Sequence, residues 1–595
     1  MHSLLDTNKL VDDYMLKRDW RVKENSNAPF NFGSMNKYIT GNVSKKYWCE
    51  RVYDEEAMKA HDDGMFHIHD LSGLTLYCCG YSLQKVTDEG IHGISNIPTS
   101  APAKHFDAIL NQLANITTIF QNEIMGAVAF SSFDTLLAPY VKNDGLTYKE
   151  VKQSIQNFIY SINSNSRAGA EPAFSNLTFD LVPPHDLAGM PAKITGEYQE
   201  YTYSECAEEM DLINKAFWEI MLDGDADGDP FAYPIPTYSI QKDFEWDNPK
   251  YDLLWEMTGK YGYPYFSNYI NSDMDPSDVR SMCCRLRLDL TELAKRNGGL
   301  FGSGDSTGSI GVVTLNLPRM GYLCNTVEEL LGMIYDYMCL AKESLEDKRN
   351  WLNMHIVGTG MIPAFDTYVG TLDNHFSTIG LVGLNEMCQN LIGEGIATEN
   401  GKNLALTVLD YMRNVLLEFQ VATGHLYNLE ATPAESTCYR LAKLDKEKYP
   451  DIYTQGTGNE VYYTNSCHLP VSQVESIKHL LDHQNELQAK FTGGTVVHIY
   501  AEEGISGSQV KKLIKTACTN YVIPYISWSP IIRTCPTHGT ITGVHNACPF
   551  CGSKLKLHQR ITGYIREITN YNPGKHGEFV DRKQIKAANA IVNNL

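Results

Sequence analysis

The sequence predicts an α/β protein that ends in a small metal-binding appendage, and three observations carry that expectation. Strand-like segments such as "SNLTFDLV", "GSIGVVTLNL" and "GGTVVHIYAEE" alternate with helical stretches through the first 520 residues, the pattern of an α/β architecture. Prolines interrupt that alternation in "VIPYISWSPIIRT", Val522–Thr534, which marks a boundary. Two ligand pairs follow, Cys535-x2-His538 and Cys548-x2-Cys551, at the spacing of a tetrahedral zinc site. The expected division is a helical segment over 1–60, the α/β body over 61–525 and the metal-binding end over 526–595.

Taken in order, residues 1–60 read as polar helices broken by "ENSNAPFNFGS" (Glu24–Ser34). "GMFHIHDLSGLTLYCCGYSL" (Gly64–Leu83) brings short strand-like runs. The spacing of apolar residues predicts one long helix from Lys104 to Phe130. A firmer helix begins at Thr326, where Thr326 and Glu329 make a capping-box pattern and Leu330, Leu331, Ile334 and Met338 line one face. "ATPAESTCYR" (Ala431–Arg440) reads as a helix start with Thr432 as cap and Pro433 in the first turn. The free amides of such a start can bind phosphate.

Composition narrows the function classes. With 595 residues, 43% of them hydrophobic, the chain has material for a large core. Its net charge of −21 argues against nucleic acid and anionic membrane as partners. Locally, Arg533, Lys554, Lys556 and Arg560 make the metal-binding end basic. The N-terminus is too charged for a signal peptide, and no run of about 18 apolar residues spans a membrane. The expected location is therefore cytoplasmic, where the 15 cysteines serve as thiols, metal ligands or redox groups.

Several constellations could carry chemistry. Cys535, His538, Cys548 and Cys551 close a coordination sphere and leave no open position, as in structural zinc; His545 and His558 are alternatives to His538. Cys78–Cys79 and Cys283–Cys284 are doubled thiols far apart in sequence. On a strand only one of each pair can face a shared site, and cysteine is commonly just a small buried hydrophobe. His67 and His69 share a strand face, where they satisfy hydrogen bonds or, less commonly, hold a metal.

"RITGYIRE", centred on Gly563, resembles the signature of glycyl-radical enzymes. With the ligand pairs, "FHIHDLSGLTLYCCGYS", "SMCCRLRLD", "GSIGVVTLNLPR" and "TPAESTCYRLAKLD", the chain resembles the anaerobic (class III) ribonucleoside-triphosphate reductases from about Trp20 to Arg582. The resemblance implies a ten-stranded α/β barrel of two antiparallel five-stranded halves, with a C-terminal zinc-ribbon and glycyl-radical domain. It implies that Gly563 stores the radical and that Cys284 becomes the thiyl that abstracts the ribose 3′-hydrogen. Cys78 matches the second thiol, which protonates the leaving 2′-hydroxyl, with Cys79 and Cys283 as the neighbouring choices. Asn316 matches a residue that holds ribose hydroxyls, and Met282 a methionine of formate-using members. Thr432, Ala434, Glu435 and Ser436 would hold substrate phosphates.

The family further implies a homodimer, ATP and dNTP effectors, and a radical-SAM iron–sulfur activating enzyme. Formate is the expected reductant, and a thioredoxin-type donor the alternative. The sequence differs from many members in carrying His538 where they have cysteine, and it is expected to lack an N-terminal ATP-cone. Two rivals stand beside this reading: another glycyl-radical enzyme, an acyltransferase or eliminase, and a zinc-ribbon nucleic-acid binder.

Overall fold

The computed structural model describes residues 5–23, 28–271 and 307–586. Its centre is a sheet in which ten strands follow one path. In chain order, β1 is Phe66–Ile68, β2 Cys78–Tyr81, β3 Val128–Phe130, β4 Ser175–Phe179, and β5 (Pro191–Ile194) and β6 (Glu197–Thr202) form an outlying hairpin. Then come β7 Ile235–Ile240, β8 Tyr265–Asn268, β9 Gly308–Asn316, β10 His375–Val382, β11 Tyr427–Glu430, β12 Val497–Ala501 and β13 Tyr525–Pro530.

Strands β2, β3, β4, β7 and β8 run parallel. So do β9, β10 and β11, and so do β12 and β13. The two sets meet antiparallel at β2–β9 and at β8–β13. The ring closes where Gly493 N donates to Leu429 O (2.7 Å) and Ala431 N to Gly494 O (2.7 Å), joining β11 to the segment that enters β12. The result is the expected barrel of two five-stranded halves. β1 lies outside the path and pairs antiparallel with β9.

Burial explains why these segments read as apolar runs. Every residue of β2, β3, β7, β8, β9, β10, β11 and β13 is buried, as parallel strands covered on both faces must be. Helices form the outer layer. One of them, Val327–His355, starts where Thr326 accepts from the Glu329 amide, and it buries Leu330, Ile334 and Met338 as its sequence predicts. The antiparallel seam is tight: a Cβ at Gly308 would lie 2.1 Å from the Cys78 carbonyl oxygen, so only glycine fits.

Two expectations shift. The helix predicted over Lys104–Phe130 stops at Glu123, and Val128–Phe130 becomes β3. The short apolar run "GAVAF" has no period that separates strand from helix, and parallel pairing with β2 and β4 decides it. The boundary expected at 526 falls inside a barrel strand, since β13 continues to Pro530.

A second sheet begins two residues later, in the order β15-β14-β16-β17. Its strands are β14 Ile532–Cys535, β15 Gly539–Ile541, β16 Lys556–Arg560 and β17 Ile565–Glu567. A helix, Pro573–Asp581, follows and packs on helix Glu435–Lys448. Its buried face holds an ion triad in which Glu578 accepts from Lys575 Nζ (2.5 Å) and from Arg582 Nη2 (2.7 Å). The Arg582 guanidinium also donates to the carbonyls of Arg560 and Ile561, each at 3.1 Å, and lies 3.8 Å from the centre of the Tyr500 ring on β12. The triad therefore ties the appended sheet to the barrel wall.

Burial alone would raise the Glu578 carboxyl, but Lys575 and Arg582 outweigh it and hold it at about 2, below its ordinary 4.5. A depressed carboxyl stabilises the fold above its unfolded value and loses that contribution as pH falls through the folded one. Glu578→Gln leaves two buried cations without their counter-ion and is expected to cost about 3–5 kcal/mol at pH 7. Chemical denaturation across pH should show that deficit beginning to shrink below about pH 4.5. A deficit that is constant with pH would contradict the triad.

Candidate functional site

Gly563 is buried in the loop between β16 and β17, and that loop enters the barrel. Its carbonyl accepts from the Tyr265 hydroxyl of β8 at 2.8 Å and from Arg560 Nη1 at 3.2 Å. Arg560 is itself 2% exposed; it donates to the carbonyls of Gly262 and Tyr263, and its guanidinium lies 4.3 Å from the Tyr265 ring centre. Gly262 can offer that carbonyl because φ is +65° and no Cβ intrudes; one would lie 2.0 Å from the Trp528 carbonyl oxygen. The arginine that gives this end its basic sequence is thus spent inside the protein. Lys556 likewise pairs with Asp229 at 2.5 Å, and Arg533 is buried, donating to the Glu502 carbonyl.

The residue after the glycine reaches further. Tyr564 packs edge-on against Phe174, with ring centres 5.8 Å apart, and its hydroxyl donates to Glu435 Oε2 at 2.9 Å. Phe174 in turn packs on the small cluster of Cys78, Ala127 and Ala129. Cys78 therefore faces the barrel interior, one side chain away from the glycine motif. Cys79 points the other way, into the large core beneath the outer helices, as alternation along a strand requires. Burial pushes the Cys79 thiol far above its ordinary range. Met282, Cys283 and Cys284 lie outside the described residues.

Asn316 is not brought to Cys78. Cys78 pairs with Ser309, at the start of β9, whereas Asn316 ends that strand. Seven residues of strand separate them, roughly 23 Å. Its side chain is also committed elsewhere: it donates to the Gly64 carbonyl (2.8 Å) and to Asp445 (2.9 Å), and it accepts from the Arg319 amide (3.3 Å). It caps the helix Leu317–Leu323. The ribose-holding role implied for it by resemblance is corrected accordingly.

The segment Thr432–Ser436 does open a helix, but the cap differs from the expected one. The helix runs Glu435–Lys448 with Ala434 as N-cap, and the Ala434 amide donates to Asn465 Oδ1 at 3.2 Å. Thr432 is buried two residues earlier, its hydroxyl 3.5 Å from that of Thr314 on β9. Glu435 and Ser436 line a cavity of about 680 Å³. Arg21, Lys37, Lys45, Arg167, Arg440 and Lys443 line it beside Asp70, Glu171 and Glu447, and Lys37 and Arg167 both pair with Glu171, so the lining is of mixed charge with a small excess of cations near a helix N-terminus, a setting that favours an anion. His67 and His69 face the same cavity. His69 meets the Thr314 hydroxyl at 2.8 Å and His67 meets Arg440 at 3.3 Å, so both serve as hydrogen-bonding groups. Burial drives the His69 imidazole down to about 3, keeping it neutral.

Cys535, His538, Cys548 and Cys551 converge, with their ligand atoms all within 4.8 Å of one another. Cys535 Sγ lies 3.6 Å from both Cys551 Sγ and His538 Nδ1, and Cys548 Sγ lies 3.5 Å from that nitrogen. A tetrahedral ion with bonds of about 2.3 Å sets sulfurs ~3.8 Å apart, so the set fits zinc. His538, and neither His545 nor His558, completes it.

A protein-family model described as anaerobic ribonucleoside-triphosphate reductase matches residues 24–584. The chain belongs to this family. It is 23% identical to the anaerobic ribonucleoside-triphosphate reductase of Enterobacteria phage T4, covering 94% of this chain and 96% of that one. It is also 23% identical to the Haemophilus influenzae protein of the same name, covering 91% of this chain and 80% of that one. Among solved structures, the anaerobic ribonucleotide reductase from Thermotoga maritima with dATP bound in the specificity site superimposes with a TM-score of 0.76. It shares 20% identity, over 95% of this chain and 94% of that one.

Within this reductase family assignment, the rival readings recede, since the match spans the barrel as well as the ribbon. Sequence reasoning missed Tyr265, Phe174 and Arg582, which seat the glycine loop although each lies far from the motif or outside any pattern. Arg582 could have been suspected: a lone arginine after a helix is a common partner for an acid one turn earlier, here Glu578.

The purified protein is expected to contain about one zinc per chain by elemental analysis, in keeping with the one four-ligand set among the described residues. Cys548→Ser should lose the metal and expose residues 532–560 to proteolysis while the barrel stays resistant. A metal-free wild-type protein with a protected ribbon would contradict the assignment.

Proposed function

We propose that the chain reduces ribonucleoside triphosphates to deoxyribonucleoside triphosphates under anaerobic conditions, using a radical stored on Gly563. One observation carries this reading: Gly563 is clamped inside the barrel, and the next side chain, Tyr564, packs through Phe174 on the face that bears Cys78. A glycine α-carbon can flatten without a side chain, and its flanking amides share the unpaired electron. The buried setting keeps water and other reductants away from it.

The roles follow by position. Cys284, outside the described residues, would pass the radical to the ribose by taking the 3′-hydrogen. Cys78 would give its proton to the departing 2′-hydroxyl, which leaves as water. Formate would supply the two electrons and become carbon dioxide, with Met282 nearby by resemblance. The cavity at Glu435 and Ser436, with its small excess of cations, would hold the triphosphate. Bound zinc would hold the ribbon folded, so that the strands on either side of the glycine loop keep their register.

Activation would come from a separate radical-SAM iron–sulfur enzyme, and the working form would be a homodimer in the cytoplasm. All 13 described cysteines are free thiols, in keeping with a reducing compartment. No helix among the described residues is long and apolar enough to cross a membrane. The dATP in the specificity site of the Thermotoga maritima enzyme supports control by deoxynucleotide and ATP effectors here.

After anaerobic activation, electron paramagnetic resonance is expected to show a glycine-type doublet. It should vanish in Gly563→Ala and persist in Cys284→Ala, where turnover is lost. A doublet that survives Gly563→Ala would overturn the proposal. Formate alone should sustain turnover in the wild type; a strict requirement for a thioredoxin-type donor would reverse the choice of reductant.

A further inference from the structure

Asn428 sits within β11 with its side chain wholly buried, and neither its amide oxygen nor its amide nitrogen meets a hydrogen-bond partner. An unsatisfied buried polar group costs ~1–3 kcal/mol, and native interiors seldom keep one without a use. Its neighbours on the strand, Tyr427 and Leu429, point outward into the core beneath the helices, where the Tyr427 hydroxyl donates to Glu346 (2.5 Å). Alternation therefore aims Asn428 into the barrel.

The register places it with respect to the thiol. Asn428 pairs with Thr378 on β10, and the Thr378 hydroxyl lies 2.9 Å from that of Ser309 on β9. Ser309 pairs with Cys78 on β2. In register Ser309 pairs with Phe376 and Thr378 with Val312, so Cys78, Ser309, Thr378 and Asn428 form a diagonal across four adjacent strands of the inner wall, stepped by two residues between β9 and β10. Three strand spacings and that two-residue step separate its ends, roughly 16 Å along the wall. Both end side chains reach inward from the wall, toward the same interior.

We propose that the Asn428 amide binds the ribose hydroxyls of the substrate, facing Cys78 across the site. This rests on the reductase reading above and gives the chain's own residue for the role that Asn316 does not fill. The chemistry selects the ligand. A primary amide offers donors and an acceptor together, and a hydroxyl answers both. A phosphate would satisfy only the N–H groups, and it already has cations and a helix N-terminus near Glu435.

The test uses the unactivated full-length protein under anaerobic calorimetry, with CTP, 2′-deoxy-CTP and 3′-deoxy-CTP as probes. In the wild type, removing the hydroxyl that the amide holds should weaken binding by about tenfold, one hydrogen bond's worth. In Asn428→Ala, CTP should weaken by a similar factor, and that deoxygenation should then make no further difference. The melting temperature of ligand-free Asn428→Ala should stay the same or rise, because an unpaired buried group has been removed. Unchanged hydroxyl discrimination in the variant overturns the assignment alone, and a lower melting temperature with that discrimination marks the amide as structural. Wild-type protein that binds no ribonucleoside triphosphate overturns the reductase reading, and this assignment with it.

Discussion

The carbonyl of Gly563 accepts from Tyr265, a barrel strand residue, and from Arg560, the last residue of β16 before the loop, and the arrangement around the site follows from that clamp. A backbone carbonyl inside a barrel must be paired, and this one is paired with a phenol and a guanidinium that are themselves held. Arg560 is pinned by the Gly262 and Tyr263 carbonyls, and its own carbonyl and that of Ile561 by Arg582. The position of Gly563 is thus set by buried polar contacts, each of which would be expensive to leave unmade.

Those contacts need a scaffold the glycine loop cannot supply alone. The segment from Ile532 to Glu567 has few apolar residues of its own; its small core is Cys535, Ile541, Cys548 and Leu555. Two of these four belong to the set that could hold a metal, so a bound ion would do the work a larger core does elsewhere. The Lys575–Glu578–Arg582 triad then locks the far side of the loop to β12. Meanwhile the Tyr564 hydroxyl reaches Glu435, the first residue of the helix that opens on the 680 Å³ cavity. The Tyr564–Glu435 hydrogen bond therefore joins the glycine loop to the helix that opens on that cavity.

The fold was largely legible because its signals are local. Alternating strands and helices, the capped helix at Thr326 and the two ligand pairs each depend on near neighbours in sequence. What escaped depends on pairing between distant segments. "GAVAF" became a strand because β2 and β4 flank it. Asn316 sits in a familiar motif, yet its position along β9 relative to Cys78 emerges only from the register. The choice of Cys78 over Cys79 as the inward thiol required knowing which face of β2 looks inward. Asn428 carries no pattern at all; only a buried amide without a partner marks it.

Hydrogen–deuterium exchange of the unactivated protein tests the central claim most directly, by asking whether the loop of residues 561–565 is held inside the barrel. Amides of this loop are expected to exchange as slowly as those of β8 and β13. In Arg560→Lys they should open selectively, with zinc still bound and the barrel strands still protected. Loop amides that exchange in the wild type at the rate of an exposed chain would contradict the clamp and the site built on it.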